Sequence, residues 1–348
     1  MSRTSRAIVT AVRDLHPAYF AFVMATGIIS TGFFLLGPPW LSRVLLVAAC
    51  AGLVVLGAAL VARLVSFRSS VAADIQAPDR VFGFFTITAG LNVLAVRLTF
   101  AGHPLPAAIL AALAAAVWLL LTYGVPASVL LTRTRDSLLG GVNGSWLLWI
   151  VATQSLSLVA AVLAPAFPSQ APLLAPVTTA LWSVGLVLYL LVVTLIWIHW
   201  LTEPMTPAAF GPPYWILMGA TAISVLAGAR DLTLRSDIPV VHATAGFVNG
   251  FTFTLWSFGT WWVPLLVILG LWRHVRRHWP LAYEPALWSV VFPLGMYSVA
   301  TLTYGKTTHI AFMEPIGRVM IWVAVVAWVL VSAAFITRLT RSLRKPAP

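Results

Sequence analysis

Apolar runs recur along the whole chain, divided by brief polar breaks or by clusters of Pro and Gly. A helix needs roughly 20 apolar residues to cross the hydrocarbon core of a bilayer. Ten stretches qualify: 17–36, 40–65, 81–100, 104–131, 144–164, 172–201, 212–229, 246–272, 285–304 and 315–340. The strict alternation of a barrel strand is missing, and in lipid a helix satisfies its own backbone hydrogen bonds. The expected fold is therefore all-α, an integral membrane protein of ten transmembrane helices. No stretch is left to build a soluble unit. Residues 14–340 read as one transmembrane domain between an N-terminal tail, 1–13, and a C-terminal tail, 341–348. The first run lacks a small-residue cleavage site and is followed at once by another span, so it is expected to be retained.

The breaks are short, as at Gly37-Pro38-Pro39 and between Pro165 and Pro172. Short connections make consecutive helices antiparallel neighbours, which predicts five hairpins. Two connections are longer: Ser66 to Arg80, and Ala229 to Thr244 with Arg230, Asp231, Arg235 and Asp237. Aromatic residues gather near span ends, among them Trp40, Trp146, Trp200, Tyr214, Trp215, Trp261, Trp262, Trp272 and Trp279, where amphipathic rings favour the headgroup zone.

Composition agrees: 60% of the residues are hydrophobic and 9% charged, too greasy for a soluble core. The net charge of +12 would suggest nucleic acid in a soluble protein, but here the basic residues sit in loops and tails. With the N-terminus inside, Arg3, Arg6, Arg13, Arg63, Arg68, Arg80, Arg133, Arg135, Arg273, Arg276, Arg277, Arg338, Arg341, Arg344 and Lys345 fall on the cytoplasmic side. Arg43, Arg97, Arg230, Arg235, Lys306 and Arg318 fall on the other. This bias predicts that both termini are cytoplasmic; the protein is expected to be a multi-pass protein of the plasma membrane, its partner the lipid bilayer and not nucleic acid. The loop from Glu203 to Pro213 runs against it, being inside by this count without Lys or Arg. Cys50 is the only cysteine, so neither an intramolecular disulfide nor a thiolate metal cluster is expected.

Odd and even spans differ in texture. The first carries Thr26, Gly27, Ser30 and Thr31; the third Thr86, Thr88, Gly90 and Asn92; the fifth Thr153, Gln154, Ser155 and Ser157; the seventh Gly219, Thr221 and Ser224; the ninth Ser289, Pro293, Gly295, Ser298 and Thr301. The second and fourth are nearly pure Leu, Val and Ala. Polar side chains at membrane depth avoid lipid. The simplest arrangement places the odd helices inside and the even helices outside. The eighth span, with Asn249, Thr252, Thr254, Ser257 and Thr260, blurs the contrast.

An anion path needs attraction weak enough to permit release, so hydroxyls and amides suit it better than a fixed cation at mid-membrane. Thr26, Ser30, Thr88, Asn92, Gln154, Thr221, Ser224 and Ser298 could donate to an anion, with Gly27 and Gly295 leaving room beside them. The competing reading is that they bond across helices or to their own carbonyls. Arg97, near the outer end of the third span, is either a snorkelling side chain or part of a basic vestibule, for which Arg230, Arg235 and Lys306 are further candidates. Proline inside a helix frees a carbonyl and bends it, so Phe292 before Pro293 can be aimed inward or simply packed. His274 and His278 share a helical face, but Arg273, Arg276 and Arg277 beside them repel a metal ion. His16 opens a helix before a proline and fits a cap or an entry site; Glu284 and Glu314 fit helix N-termini. No metal or cofactor is expected.

Two motifs carry a family resemblance. His16-Pro17-Ala18-Tyr19-Phe20, running into Met24-Ala25-Thr26-Gly27-Ile28-Ile29-Ser30, is similar to the first helix of the tellurite-resistance/dicarboxylate transporter family. Trp288-Ser289-Val290-Val291-Phe292-Pro293-Leu294-Gly295-Met296-Tyr297-Ser298 resembles its ninth helix. That family includes TehA-like bacterial proteins, malate and sulfite transporters of yeast, and slow anion channels of guard cells. The resemblance implies five hairpins around a central pore in each subunit, a homotrimer, transport of small anions or C4-dicarboxylates, and a pore gate at Phe292. Tellurite resistance would be a side effect of anion traffic.

Sulfite export within the same family is the nearest alternative. An integral-membrane enzyme is the alternative of a different class, and it lacks support, because the nine acidic residues sit at span ends or in loops.

Overall fold

In a computed structural model of the chain, residues 3–131, 141–235 and 237–344 are described. Arg133, Arg135 and Lys345 lie outside them, as does the end of the C-terminal tail. The described residues are 86% helical without a strand, an all-α integral membrane fold. In chain order the helices are α1 (Arg3–Arg13), α2 (Ala21–Leu36), α3 (Pro39–Ser66), α4 (Arg68–Gln76), α5 (Phe85–Phe100), α6 (Pro104–Leu131), α7 (Leu148–Leu163), α8 (Ala171–Thr202), α9 (Ile216–Asp231), α10 (Pro239–Leu271), α11 (Trp288–Thr308) and α12 (Met313–Arg344). Among the described residues, ten spans are long and apolar enough to cross a membrane.

Three boundaries differ from expectation. The N-terminal tail is helical as α1 and packs on α3. The connection from Ser66 to Arg80 contains α4. Helix α10 begins at Pro239, inside the connection expected from Ala229 to Thr244, because proline at the first helical position is already set for the helix. Two supposed headgroup anchors are core residues instead. Trp262 is fully buried and donates its indole N–H to the Tyr189 hydroxyl at 3.0 Å, and Tyr214 is buried beside Trp200. Glu284 stands at a cap position, but its side chain makes no cap bond.

Burial separates the spans into two sets. The most apolar windows of the odd spans are 72–94% buried, and those of the even spans 11–39%. Each odd helix packs on the even helix that follows it. The odd helices also touch one another in the order α2, α5, α7, α9, α11 and back to α2, a closed ring of five.

The ring is built on a repeat that residue identity hides. Four odd spans are each 20 residues long, Pro17–Leu36, Val81–Phe100, Gly144–Leu163 and Pro212–Asp231; the fifth is Pro285–Thr308. Every one opens with a 3-10 turn that runs into an α-helix. The five turns also touch in a closed circle, so the five inner helices run parallel from a common end. Gly144 shows how tight that circle is: a Cβ there would collide with the backbone of Pro213 and Tyr214, so only glycine allows the third and fourth turns to meet.

Ion pairs brace this turn end. Arg63 of α3, 2% exposed, pairs with Asp74 of α4 at 2.7 Å and donates to the Arg13 carbonyl at 2.9 Å. Asp74 also holds Arg80, ahead of the second turn, at 2.8 Å. A buried charge so paired escapes the cost of standing alone. His16 caps the first turn, its Nδ1 accepting from the Ala18 N–H at 3.1 Å. Burial, and then the Arg80 charge, push its pKa down to about 4, so at neutral pH the ring keeps the lone pair the cap requires.

Candidate functional site

The ring has an axis, and all five inner helices meet on it. A cavity there is lined by Ile28 and Thr31 of α2, Val93, Val96 and Phe100 of α5, Leu158 of α7, Leu226 and Arg230 of α9, and Met296 and Val299 of α11. Its volume is about 10 Å³, the threshold for a single water molecule. Its wall is apolar apart from Thr31 and Arg230. Toward the turn end from Met296, one helical turn along α11, comes Phe292. Gly295 packs on Ile28 of α2, and Pro293 packs on Gly219 of α9, where a Cβ would stand 2.7 Å from the proline ring. The arc of α11 between those two sides faces inward. Met296 lies on it, and Phe292, one helical turn earlier, lies on the same face. Phe292 is 1% exposed. Pro293 has no N–H for the Ser289 carbonyl, which loosens the helix next to that ring.

None of the polar side chains considered as pore lining borders this cavity. Thr26 accepts the indole N–H of Trp328 in α12 at 3.0 Å, and Thr153 accepts that of Trp118 in α6 at 2.9 Å. Gln154 donates to the Trp182 carbonyl of α8 at 3.0 Å. Ser298 donates to the Gly317 carbonyl of α12 at 2.7 Å. Thr221 bonds back to the Met218 carbonyl at 2.7 Å and packs under Gly259 of α10. Ser224 bonds back to Ala220, and its own carbonyl accepts from Trp182. Asn92 donates to Ser155 at 2.9 Å, joining α5 to α7. Gly27 lets Val93 of α5 approach, and Thr88 is fully buried with no partner for its hydroxyl. Thr26, Gln154 and Ser298 thus bond to outer helices, and Thr221 and Ser224 to carbonyls of their own helix. A hydroxyl at membrane depth needs a partner, and the outer helices supply tryptophans and carbonyls.

Arg97 is tied to neighbouring helices too. It is 3% exposed and does not reach the cavity. Its Nε donates to Ser30 at 3.2 Å and its Nη2 to Ser42 at 2.8 Å, while Ser30 and Ser42 each donate to the other's carbonyl at 2.7 Å. The cluster clamps α5 to the α2–α3 pair. The arginine on the axis is Arg230. It was a further candidate for the vestibule, placed in the loop because the seventh span was ended at 229, two residues short of Asp231; the 20-residue repeat places it inside. The apolar axis residues themselves carry no marker in the sequence.

A family model, voltage-dependent anion channel, matches residues 14–336. The chain belongs to the SLAC1 family of voltage-dependent anion channels. It is similar to an uncharacterized membrane protein of Mycobacterium tuberculosis, seen in two strains, with 42% identity over 156 residues, which cover 45% of this chain and 79% of the relative. An uncharacterized transporter of Methanocaldococcus jannaschii is 26% identical over 148 residues, 42% of each chain. The protein is thus a multi-pass membrane protein of a transporter and anion-channel family.

Proposed function

We propose that small anions cross the membrane along the axis of the inner ring, one path per subunit, and that Phe292 beside Pro293 closes it. The observation that carries this reading is the parallel closed ring whose five members all contribute to one axial cavity. An apolar constriction blocks ions by excluding water and opens when a ring moves aside. Apart from Arg230, the described residues lining the cavity carry no charge to trap an anion. The turn end, with Arg13, Arg63, Arg68 and Arg80, faces the cytoplasm, which puts both termini inside and Arg230 outside. The membrane is the plasma membrane and the assembly a homotrimer, as the resemblance implies. Monovalent inorganic anions or C4-dicarboxylates such as malate are the cargo.

Purified protein in liposomes tests this. Phe292→Ala should raise anion flux about tenfold, equivalent to about 1.4 kcal/mol off the barrier. Reversal potentials with chloride, nitrate, malate and sulfite then rank the cargo. Unchanged or lower flux in a correctly folded variant would remove Phe292 as the gate.

A further inference from the structure

At the outer end of the axis four side chains form one stack. The Arg97 guanidinium lies over the Phe34 ring, 4.4 Å from its centroid. Phe34 stacks on Phe100 with centroids 5.9 Å apart and planes 6° from parallel. Arg230 lies over Phe100 at 5.1 Å. Two cations therefore bracket a pair of rings, each held to a ring face by its quadrupole. Neither cation has a carboxylate partner among the described residues. Asp231, next to Arg230, turns away and accepts from Thr179 of α8 at 3.1 Å. The Nε–H of Arg230 and Nη1 of Arg97 are buried without any hydrogen-bond acceptor. A buried donor with no acceptor calls for a missing partner. For Arg230, which lines the cavity together with Phe100, that partner is best supplied from the path itself.

We propose that Arg230 is an anion site at the outer mouth, selective for planar oxyanions, with Phe100 supporting one face of the guanidinium. This rests on the reading of the axis as the anion path. The Nε–H and a neighbouring Nη–H form the flat edge that pairs two oxygens of a carboxylate or nitrate, whereas a spherical halide uses only one point of it. The Phe100 ring takes one face of the guanidinium and leaves its in-plane N–H donors free for an oxyanion. Arg97 stays in place, tied to Ser30 and Ser42, and holds the Phe34 ring that stacks on Phe100.

The test uses the full chain in detergent, with nitrate as the probe and sodium chloride at matched ionic strength as the reference. Nitrate should raise the melting temperature of the parent beyond chloride. Arg230→Lys, which keeps the charge but loses the flat edge, should weaken half-saturation about tenfold, the size of one charged hydrogen bond. Phe100→Leu, which keeps the bulk but removes the ring face that supports the guanidinium, should weaken it by a smaller factor. Absence of nitrate-specific stabilisation in the parent, equal half-saturation in Arg230→Lys, or tighter binding in Phe100→Leu would each overturn the site. Binding in detergent does not require flux. Nitrate binding without conduction in any background would end the transport reading and leave the site standing, whereas conduction with nitrate binding indifferent to residue 230 would do the reverse.

Discussion

On the backs of the inner helices, Thr26, Thr153, Gln154, Ser157 and Ser298 bond to the outer helices; on their fronts, Ile28, Val93, Leu226 and Met296 meet chiefly other apolar side chains. The two faces of one ring thus invert the usual picture of a wet lumen and a greasy wall. Between two helices in lipid there is little hydrophobic driving force, so hydrogen bonds and close small-residue contacts hold the rings together. The axis has the opposite requirement. A polar lining would hydrate it and leave nothing to close, while an apolar one excludes ions until a ring moves.

Phe292→Ala is the largest expected departure, because it alters the front and should change flux by an order of magnitude while the backs keep their bonds. The turn end offers the next test. His16 has a folded-state pKa of about 4 against an ordinary 6.5, so between these values the unfolded chain binds more protons. Stability should therefore rise with pH across that window and be lost as pH falls through it. Protonation also removes the lone pair that caps the first turn, a contact of about 1 kcal/mol. His16→Asn, which keeps a cap acceptor, should flatten the acid limb of the melting curve from pH 7 to 4; an unchanged limb would assign that loss to other groups. A smaller effect belongs to the backs. Trp328→Phe removes the bond to Thr26 and should cost about 0.6 kcal/mol of stability, with anion flux in the Phe292→Ala background unaltered. A changed anion preference in that variant would mean that Thr26 does reach the path.

The division into spans was legible in the sequence because length and hydropathy are set by the bilayer, and the burial contrast between odd and even helices followed from where Ser, Thr and Asn fall. Placement of the site was less legible. Polarity marks which helix is inside, but both a lumen and a neighbouring helix reward a hydroxyl, so Thr26 and Gln154 read alike under either hypothesis. Arg97 and Arg230 differ only in which side of their helices faces the axis, and one residue of register decides that. The repeat of 3-10 turn and helix escaped notice because it is a repeat of backbone and length, with Pro17, Val81, Gly144, Pro212 and Pro285 at its five starting points.

Accessibility from water separates front from back most directly. In protein with Cys50 replaced by alanine and Phe292 by alanine, single cysteines at Leu226 and Met296 should react with a small anionic methanethiosulfonate, and the rate should fall when nitrate occupies the path. Cysteines at Thr221 and Ser298 should stay unreactive. The reverse order, with the backs labelled and the fronts protected, would contradict an anion path along the axis of the inner ring.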